Sequence, residues 1–320
     1  MRWGHHTLEY ASRFSTTERK IIIYRVFGIN IDSEILLPEL VVTEGILDVR
    51  IVYGDTPREL VGAHVKHDRR QVAPEQFLLN VAGVGRYYVR NGDYVVVEPD
   101  GSAEEREIRL FLLGSVMAAL LMQRRIMPIH GSAVILNGRA IIITGGSGAG
   151  KSTLLGALRK CGASYLTDDL AAVTFDETGA PWVQSGYPQQ KLWRDSALEM
   201  GVDISNCPPV ESGMDKYFVA VKEGFCQIPI RLAAVCELRA EECREAIISG
   251  LAGPDKLAVL MRHTFRKRLL AGMGLQAAHF KQCAAVAAQI TVSRLVRPNG
   301  KFTAADQVHL LEQMMMGVIT

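Results

Sequence analysis

This sequence is short of the features that usually announce a special environment or a polyanionic partner. Lys and Arg number 36 against 34 Asp and Glu, a net charge of +2 over 320 residues. That balance leaves no basic footprint for nucleic acid. The 6 cysteines (Cys161, Cys207, Cys226, Cys236, Cys243 and Cys283) include no CxxC pair. This argues against a zinc site or a disulfide framework and for reduced thiols. No apolar run is long enough to span a bilayer. The most apolar stretch, Ile108 to Met122, is too short and carries Arg109. The opening Met1-Arg2-Trp3-Gly4-His5-His6 is not followed by the apolar core of a signal peptide. Internal repeats and low-complexity tracts are also missing. The expectation is a soluble cytoplasmic protein with neither nucleic acid nor membrane as partner.

What is present suits a globular chain with a sizeable core: 48% hydrophobic and 22% charged residues. The first hundred residues read mostly as strand: Lys20 to Phe27, Leu47 to Tyr53, Phe77 to Val81, Gly85 to Arg90 and Tyr94 to Glu98. Asn91-Gly92 is a type I′ hairpin signal. The charged stretch Thr56 to Glu75 reads as a loop. A small antiparallel sheet of α+β type is expected over 1–102. A linking helix over 103–126 opens with the acidic cluster Glu104 to Glu107 and stops before Pro128. The remainder, 127–320, reads as α/β. Strands are expected at His130 to Leu136, Arg139 to Thr144, Leu170 to Phe175 and Leu232 to Leu238. Helices are expected at Lys151 to Lys160, Lys256 to Met273, Gln276 to Thr291 and Ala304 to Met316.

One motif carries chemistry without help. Gly145-Gly146-Ser147-Gly148-Ala149-Gly150-Lys151-Ser152 fits GxxxxGK[ST] between an apolar strand and a helix. Small residues let backbone N–H groups curl around phosphate oxygens. Lys151 supplies charge for the β- and γ-phosphates, and Ser152 offers a hydroxyl to Mg²⁺. ATP with Mg²⁺ is therefore the expected ligand pair. Neither the guanine-reading Asn-Lys-x-Asp pattern nor a transporter-like Leu-Ser-Gly-Gly-Gln is seen.

Thr167-Asp168-Asp169-Leu170 follows after one helix's length, which should return it to the edge of the sheet that holds the loop. One carboxylate there can hold Mg²⁺, and the other can take the proton of an attacking hydroxyl. The two repel each other, so a cation must offset them. His130 heads the strand leading into the loop strand, from where it can orient Asp168 or tune its acidity.

Three stretches together resemble the HPr kinase/phosphorylase family: Ile129-His130-Gly131-Ser132-Ala133, Gly145 to Ser152, and Thr167-Asp168-Asp169. The resemblance runs over about residues 125 to 195. It implies a P-loop kinase domain of the HPr-kinase type and transfer of a phosphoryl group from ATP to a protein serine. It would make Asp168 the base, assisted by His130, with Lys151 and Ser152 on the phosphates and metal; Thr153 follows them at the nucleotide, and Asp169 is the carboxylate expected to steady Mg²⁺. Gly186 to Arg194 replaces the Leu-Glu-x-Arg-Gly signature of the family's metabolic enzymes. The chain looks more like the diverged branch found in peptide natural-product pathways, which includes lasso-peptide precursor kinases. That branch implies the C-terminal serine of a precursor peptide as acceptor.

Basic residues outside the motif are candidate anion contacts: Lys191, Arg194, Lys216, and Arg262 or Arg266 for the transferring phosphoryl. Two other functions use the same loop, a nucleotide-binding sensor or ATPase without protein phosphotransfer and a small-molecule hydroxyl kinase. The oligomeric state stays open, a homo-oligomer included.

Overall fold

The computed structural model describes residues 22–67, 69–211 and 213–318. The opening segment and the first residues of the strand expected from Lys20 lie outside them. The chain is mixed α/β, with one large sheet in each half.

The first half supplies β1 (Ile23–Val26), β2 (Ile29–Ser33), β3 (Val41–Thr43), β4 (Val49–Tyr53), β5 (Val65–His67), β6 (Arg70–Ala73), β7 (Gln76–Val81), β8 (Gly85–Arg90) and β9 (Tyr94–Pro99). They form a 9-stranded sheet in the order β3-β1-β2-β4-β9-β8-β7-β6-β5. Tyr87 and Val89 of β8 and Val95 and Val97 of β9 are buried, while their neighbours in sequence face outward. This is the period of two that makes a strand legible. Asn91 and Gly92 both take left-handed backbone (φ 54 and 70), as the turn between β8 and β9 requires.

Two expectations fail in this half. The sheet is not purely antiparallel, because β2 pairs with β4 and β4 with β9 in parallel. Alternation reports which face is buried and is blind to strand direction. The supposed loop Thr56 to Glu75 contains β5 and β6. These short strands close one edge of the sheet, where charged residues are usual and mask the strand pattern.

The expected helix over 103–126 is α1 (Glu105–Phe111), a π-helical turn (Leu112–Val116) and α2 (Met117–Gln123). Met117 to Met122 are buried all round, because α2 packs between β8 and the first strand of the second sheet. An extra residue per turn re-aims the apolar face part-way along the helix.

The second half runs β10 (Met127–Leu136), β11 (Arg139–Gly145), α3 (Lys151–Lys160), β12 (Ser164–Thr167), β13 (Leu170–Phe175), β14 (Pro181–Gln184), β15 (Gln189–Trp193), α4 (Arg194–Glu199), β16 (Lys216–Ala220), β17 (Ile230–Glu241), β18 (Ile247–Gly250), α5 (Pro254–Arg262), α6 (Leu269–Gly272), α7 (Gln276–Gln289), β19 (Thr291–Pro298) and α8 (Ala304–Met315). β11 lies between β10, antiparallel to it, and β17, parallel to it. β17 in turn pairs in parallel with β19. The strands β15 and β16 form a separate ribbon.

The helix expected from Lys256 to Met273 is broken. Thr264 leaves it to bridge to Ile129, and Arg266 takes φ 53, so α5 and α6 are separate. The helix expected to reach Thr291 ends at Gln289, and Thr291 begins β19, which the sequence had not suggested. Arg294 and Arg297 interrupt the apolar pattern of that strand.

Candidate functional site

The site is assembled at the end of β11. Gly145 closes that strand at φ 151, and a Cβ there would overlap the Leu238 carbonyl of the neighbouring β17. Gly148 (φ 77) and Gly150 (φ 102) turn the chain into α3. Gly146 and Gly148 have open space where a side chain would stand. These positions explain the glycines: the backbone must pass close to β17 and leave a concavity in front.

Lys151 Nζ donates to the carbonyls of Gly145 at 2.9 Å and Gly146 at 3.0 Å, so its charge lies over the loop. Burial pushes its pKa below the ordinary lysine value, against the pull of Asp169 and Asp168. Ser147, Ser152 and Thr153 line the same cavity, of about 590 Å³. That is a size usual for ligand sites. Thr153 Oγ1 also lies 2.8 Å from Ser196 Oγ on α4. Ala149 is buried beneath the loop. A residue that sequence reasoning passed over holds the loop from the other side. Arg297 of β19 donates from Nε to Ala149 O at 2.8 Å and from Nη2 to Gly148 O at 3.3 Å.

Asp168 and Asp169 interrupt what would otherwise be one strand. β12 and β13 both pair with β10, Thr167 opposite Ala133 and Leu170 opposite His130. The two aspartates form the irregularity between. Asp169 has φ 70, and Leu170 N–H closes a three-residue turn on Asp168 O at 2.8 Å. A non-glycine residue in that turn is strained, and such strain gathers at functional positions. It re-aims both carboxylates into the cavity, which His130 also lines.

Each carboxylate has its own partners. Asp168 is buried. Its Oδ1 accepts the Ser132 hydroxyl at 2.6 Å, and its Oδ2 accepts the Lys191 backbone N–H at 2.9 Å. Asp169 Oδ2 accepts Lys191 Nζ at 2.8 Å. Burial alone would raise the Asp169 pKa, but the charge and hydrogen bond of Lys191 outweigh it and hold the carboxyl well below its usual range. Lys191 is raised above the ordinary lysine value, the charge of Asp169 overcoming desolvation. Lys191, considered from the sequence as a phosphate contact, is thus the cation that offsets the acidic pair.

His130 is placed differently from expectation. Its ring does not orient the Asp168 carboxylate; Ser132 does. His130 Nδ1 lies 3.0 Å from the backbone carbonyl of Asp169. A carbonyl only accepts, so Nδ1 carries the proton and Nε2 is left as an acceptor. Burial lowers the His130 pKa, so the ring is neutral near pH 7. His130 N–H donates to His263 O at 2.7 Å, and Thr144 Oγ1 donates to His130 O at 2.7 Å.

Of the other basic residues, Arg194 pairs with Asp215. Lys216 lines the cavity near Trp193. Arg262 donates to Glu237 at 2.7 Å, while Arg266 rests over the Phe265 ring. Glu237 is a hub that the sequence did not disclose. It is 2% exposed and takes hydrogen bonds from Arg239, Arg262, His263 and Arg294. Burial would raise its pKa, and these donors bring it down to about 2.

Among the described residues no group of three or more His, Cys, Asp or Glu gathers to hold a metal ion. A protein cage of that kind is not what Mg²⁺ uses beside a nucleotide. It takes one or two protein oxygens and completes its shell with phosphates and water. Ser152 and Asp169 on the wall of one cavity, beside an open glycine cradle, fit that donor set. No described helix is long and apolar enough to cross a membrane.

No protein-family model and no curated protein matches the chain. Among solved structures, the chain is similar to the Hpr(Ser) kinase/phosphatase from Coxiella burnetii, at 10% identity and a TM-score of 0.32, over 60% of this chain and 97% of that one. A likeness at that level carries no weight, and the chemistry of the site rests on its own residues.

Proposed function

We propose that the protein is an ATP- and Mg²⁺-dependent kinase that phosphorylates a serine hydroxyl of a peptide or protein. The observation that carries the proposal is the placement of the Asp168 carboxylate in the cavity of the glycine loop, with both oxygens fixed. A loop that only binds nucleotide has no use for an oriented base. On the resemblance of the sequence, the acceptor is the C-terminal serine of a lasso-type precursor peptide.

The backbone N–H groups of the loop cradle the β-phosphate, and Lys151 moves from its two loop carbonyls onto the β- and γ-phosphate oxygens. Ser152 and Asp169 would hold Mg²⁺, which when bound neutralises charge on those oxygens. Asp168 accepts the serine proton as the bond from that oxygen to the γ-phosphorus forms. The bond from the γ-phosphorus to the bridging oxygen breaks at the same time, and ADP leaves with the electron pair. Lys191 keeps Asp169 ionised beside Asp168. His130 holds the Asp169 backbone, and with it the turn that aims both carboxylates.

The test is Asp168→Asn. The amide can accept from Lys191 N–H through Oδ1 and donate to Ser132 through Nδ2, so the site keeps its shape. Transfer should fall on the order of 10²- to 10⁴-fold while ATP affinity is unchanged. Labelled ATP, Mg²⁺ and candidate precursor peptides, read by mass spectrometry, supply the assay. Equal phosphate transfer by the variant would remove Asp168 as the base. ATP hydrolysis without phosphopeptide for any acceptor would favour the sensor or ATPase alternative.

A further inference from the structure

The cavity is longer than the phosphate loop, and its two ends differ. Asp168, Asp169 and His130 stand on the β10 side of β11. On the other side β17 and β19 run parallel to β11, so the chain leaving β19 emerges at the same edge of the sheet as the loop. That exit, Asn299 to Thr303, leads into α8. Phe302, Thr303 and Gln307 line the cavity there. Arg297 lies between the two ends and grips the loop carbonyls. A nucleotide whose terminal phosphate faces Asp168 must extend its sugar and base the other way, past Arg297 and towards this segment.

We propose that Phe302, Thr303 and Gln307 form a subsite for a purine base bearing an exocyclic amino group, adenine in ATP. The inference rests on the phosphate-loop reading of the same cavity. Two observations at the far end point to a ligand independently of the loop. Phe302 is 52% exposed, a large aromatic ring at the cavity wall with a face available for stacking. Gln307 is 3% exposed. Its Nε2 donates to Thr303 Oγ1 at 3.0 Å, but its Oε1 is buried with no hydrogen-bond partner. Buried amide oxygens almost always find a donor. One that lines a cavity beside a phosphate loop is suited to receive a donor from the ligand. The exocyclic amine of adenine supplies an N–H, while the ring of Phe302 takes the face of the base. With the Gln307 amide nitrogen on Thr303, the amide oxygen is the atom left over.

The experiment measures binding of three probes by calorimetry: ATP, purine riboside triphosphate (the same nucleotide without the amino group) and inorganic tripolyphosphate. Wild type should bind ATP about tenfold more tightly than purine riboside triphosphate, as expected for one lost hydrogen bond to a buried partner. Gln307→Leu should abolish that preference. Phe302→Ala, at an exposed position where folding is not at risk, should weaken both nucleotides about tenfold. Neither variant should change tripolyphosphate binding, which Lys151→Ala should abolish. ATP and purine riboside triphosphate binding equally to wild type, or Phe302→Ala leaving ATP affinity intact, would overturn the base subsite alone. Failure of both ATP and tripolyphosphate to bind wild type would overturn the phosphate-loop reading, and the subsite with it.

Discussion

Ser132 shows how much of a site can hang on a residue to which the sequence assigns no role. It is 1% exposed, and its hydroxyl reaches Asp168 Oδ1 at 2.6 Å. Ser132→Ala leaves the Lys191 N–H as the donor to that carboxylate among the described residues. The loss of a buried hydrogen bond to a charged group costs about 1–3 kcal/mol of stability. We expect a lowered thermal midpoint and a fall in kcat of about tenfold, the size of one such bond, with KM for ATP unchanged. A shift in KM alone would place Ser132 in nucleotide binding instead. Lys191 makes the same point for charge. The sequence showed that an acidic pair needs a cation, but the identity of that cation depends on a ribbon folded back from residues further along the chain.

At the scale of elements, Glu237 ties β17 to α5, β19 and the His263 segment through its four donors. His263 in turn receives His130 N–H on its carbonyl. Those donors bring the folded carboxyl down to about 2, from the 4.5 of an ordinary glutamate. Because the folded value is depressed, this group's contribution is complete above pH 4.5 and is lost as pH falls towards 2. Acid unfolding followed by circular dichroism should therefore steepen in that window. Glu237→Gln should flatten it and should cost about 3–5 kcal/mol at neutral pH, because four donors lose a buried anion. An unchanged acid profile would deny Glu237 this role. Legibility differs between elements for physical reasons. The glycine loop, α3 and the turn at Asn91-Gly92 were legible because backbone conformation dictates residue type there. β19 was not, because Arg294 and Arg297 serve Glu237 and the loop and so break the apolar pattern. The split between α5 and α6 was hidden too. It depends on Thr264 pairing with Ile129, a contact between segments far apart in sequence. Likewise the roles of Ser132, Lys191 and Arg297 rest on contacts that spacing along the chain does not reveal.

Across the whole molecule, a single apolar cluster takes in Phe27 of the turn between β1 and β2, Ile31 and Val97 of the first sheet, most of α2, and Leu170, Ala172, Tyr187 and Leu269 from the second half. Phe27 N–H donates to Ser185 O at 2.7 Å, and its ring meets Tyr187 edge-on. A fragment of residues 127–320 would expose this surface. We expect it to aggregate and to show no cooperative transition by scanning calorimetry. A soluble fragment with a sharp transition would show that the first sheet is dispensable for folding.

β13 is the wall between two cores. Leu170 and Ala172 face the shared cluster, and Ala171 and Val173 face the one beneath β10 and β17. The irregularity formed by Asp168 and Asp169 sets which face goes where. Substituting either aspartate changes the chemistry and keeps this count. Deleting either would turn the strand over and exchange what it gives to each core. The acidic pair is therefore a spacer as well as a reactive group. A one-residue deletion there would be read as loss of the protein, and only substitutions can report on its chemistry.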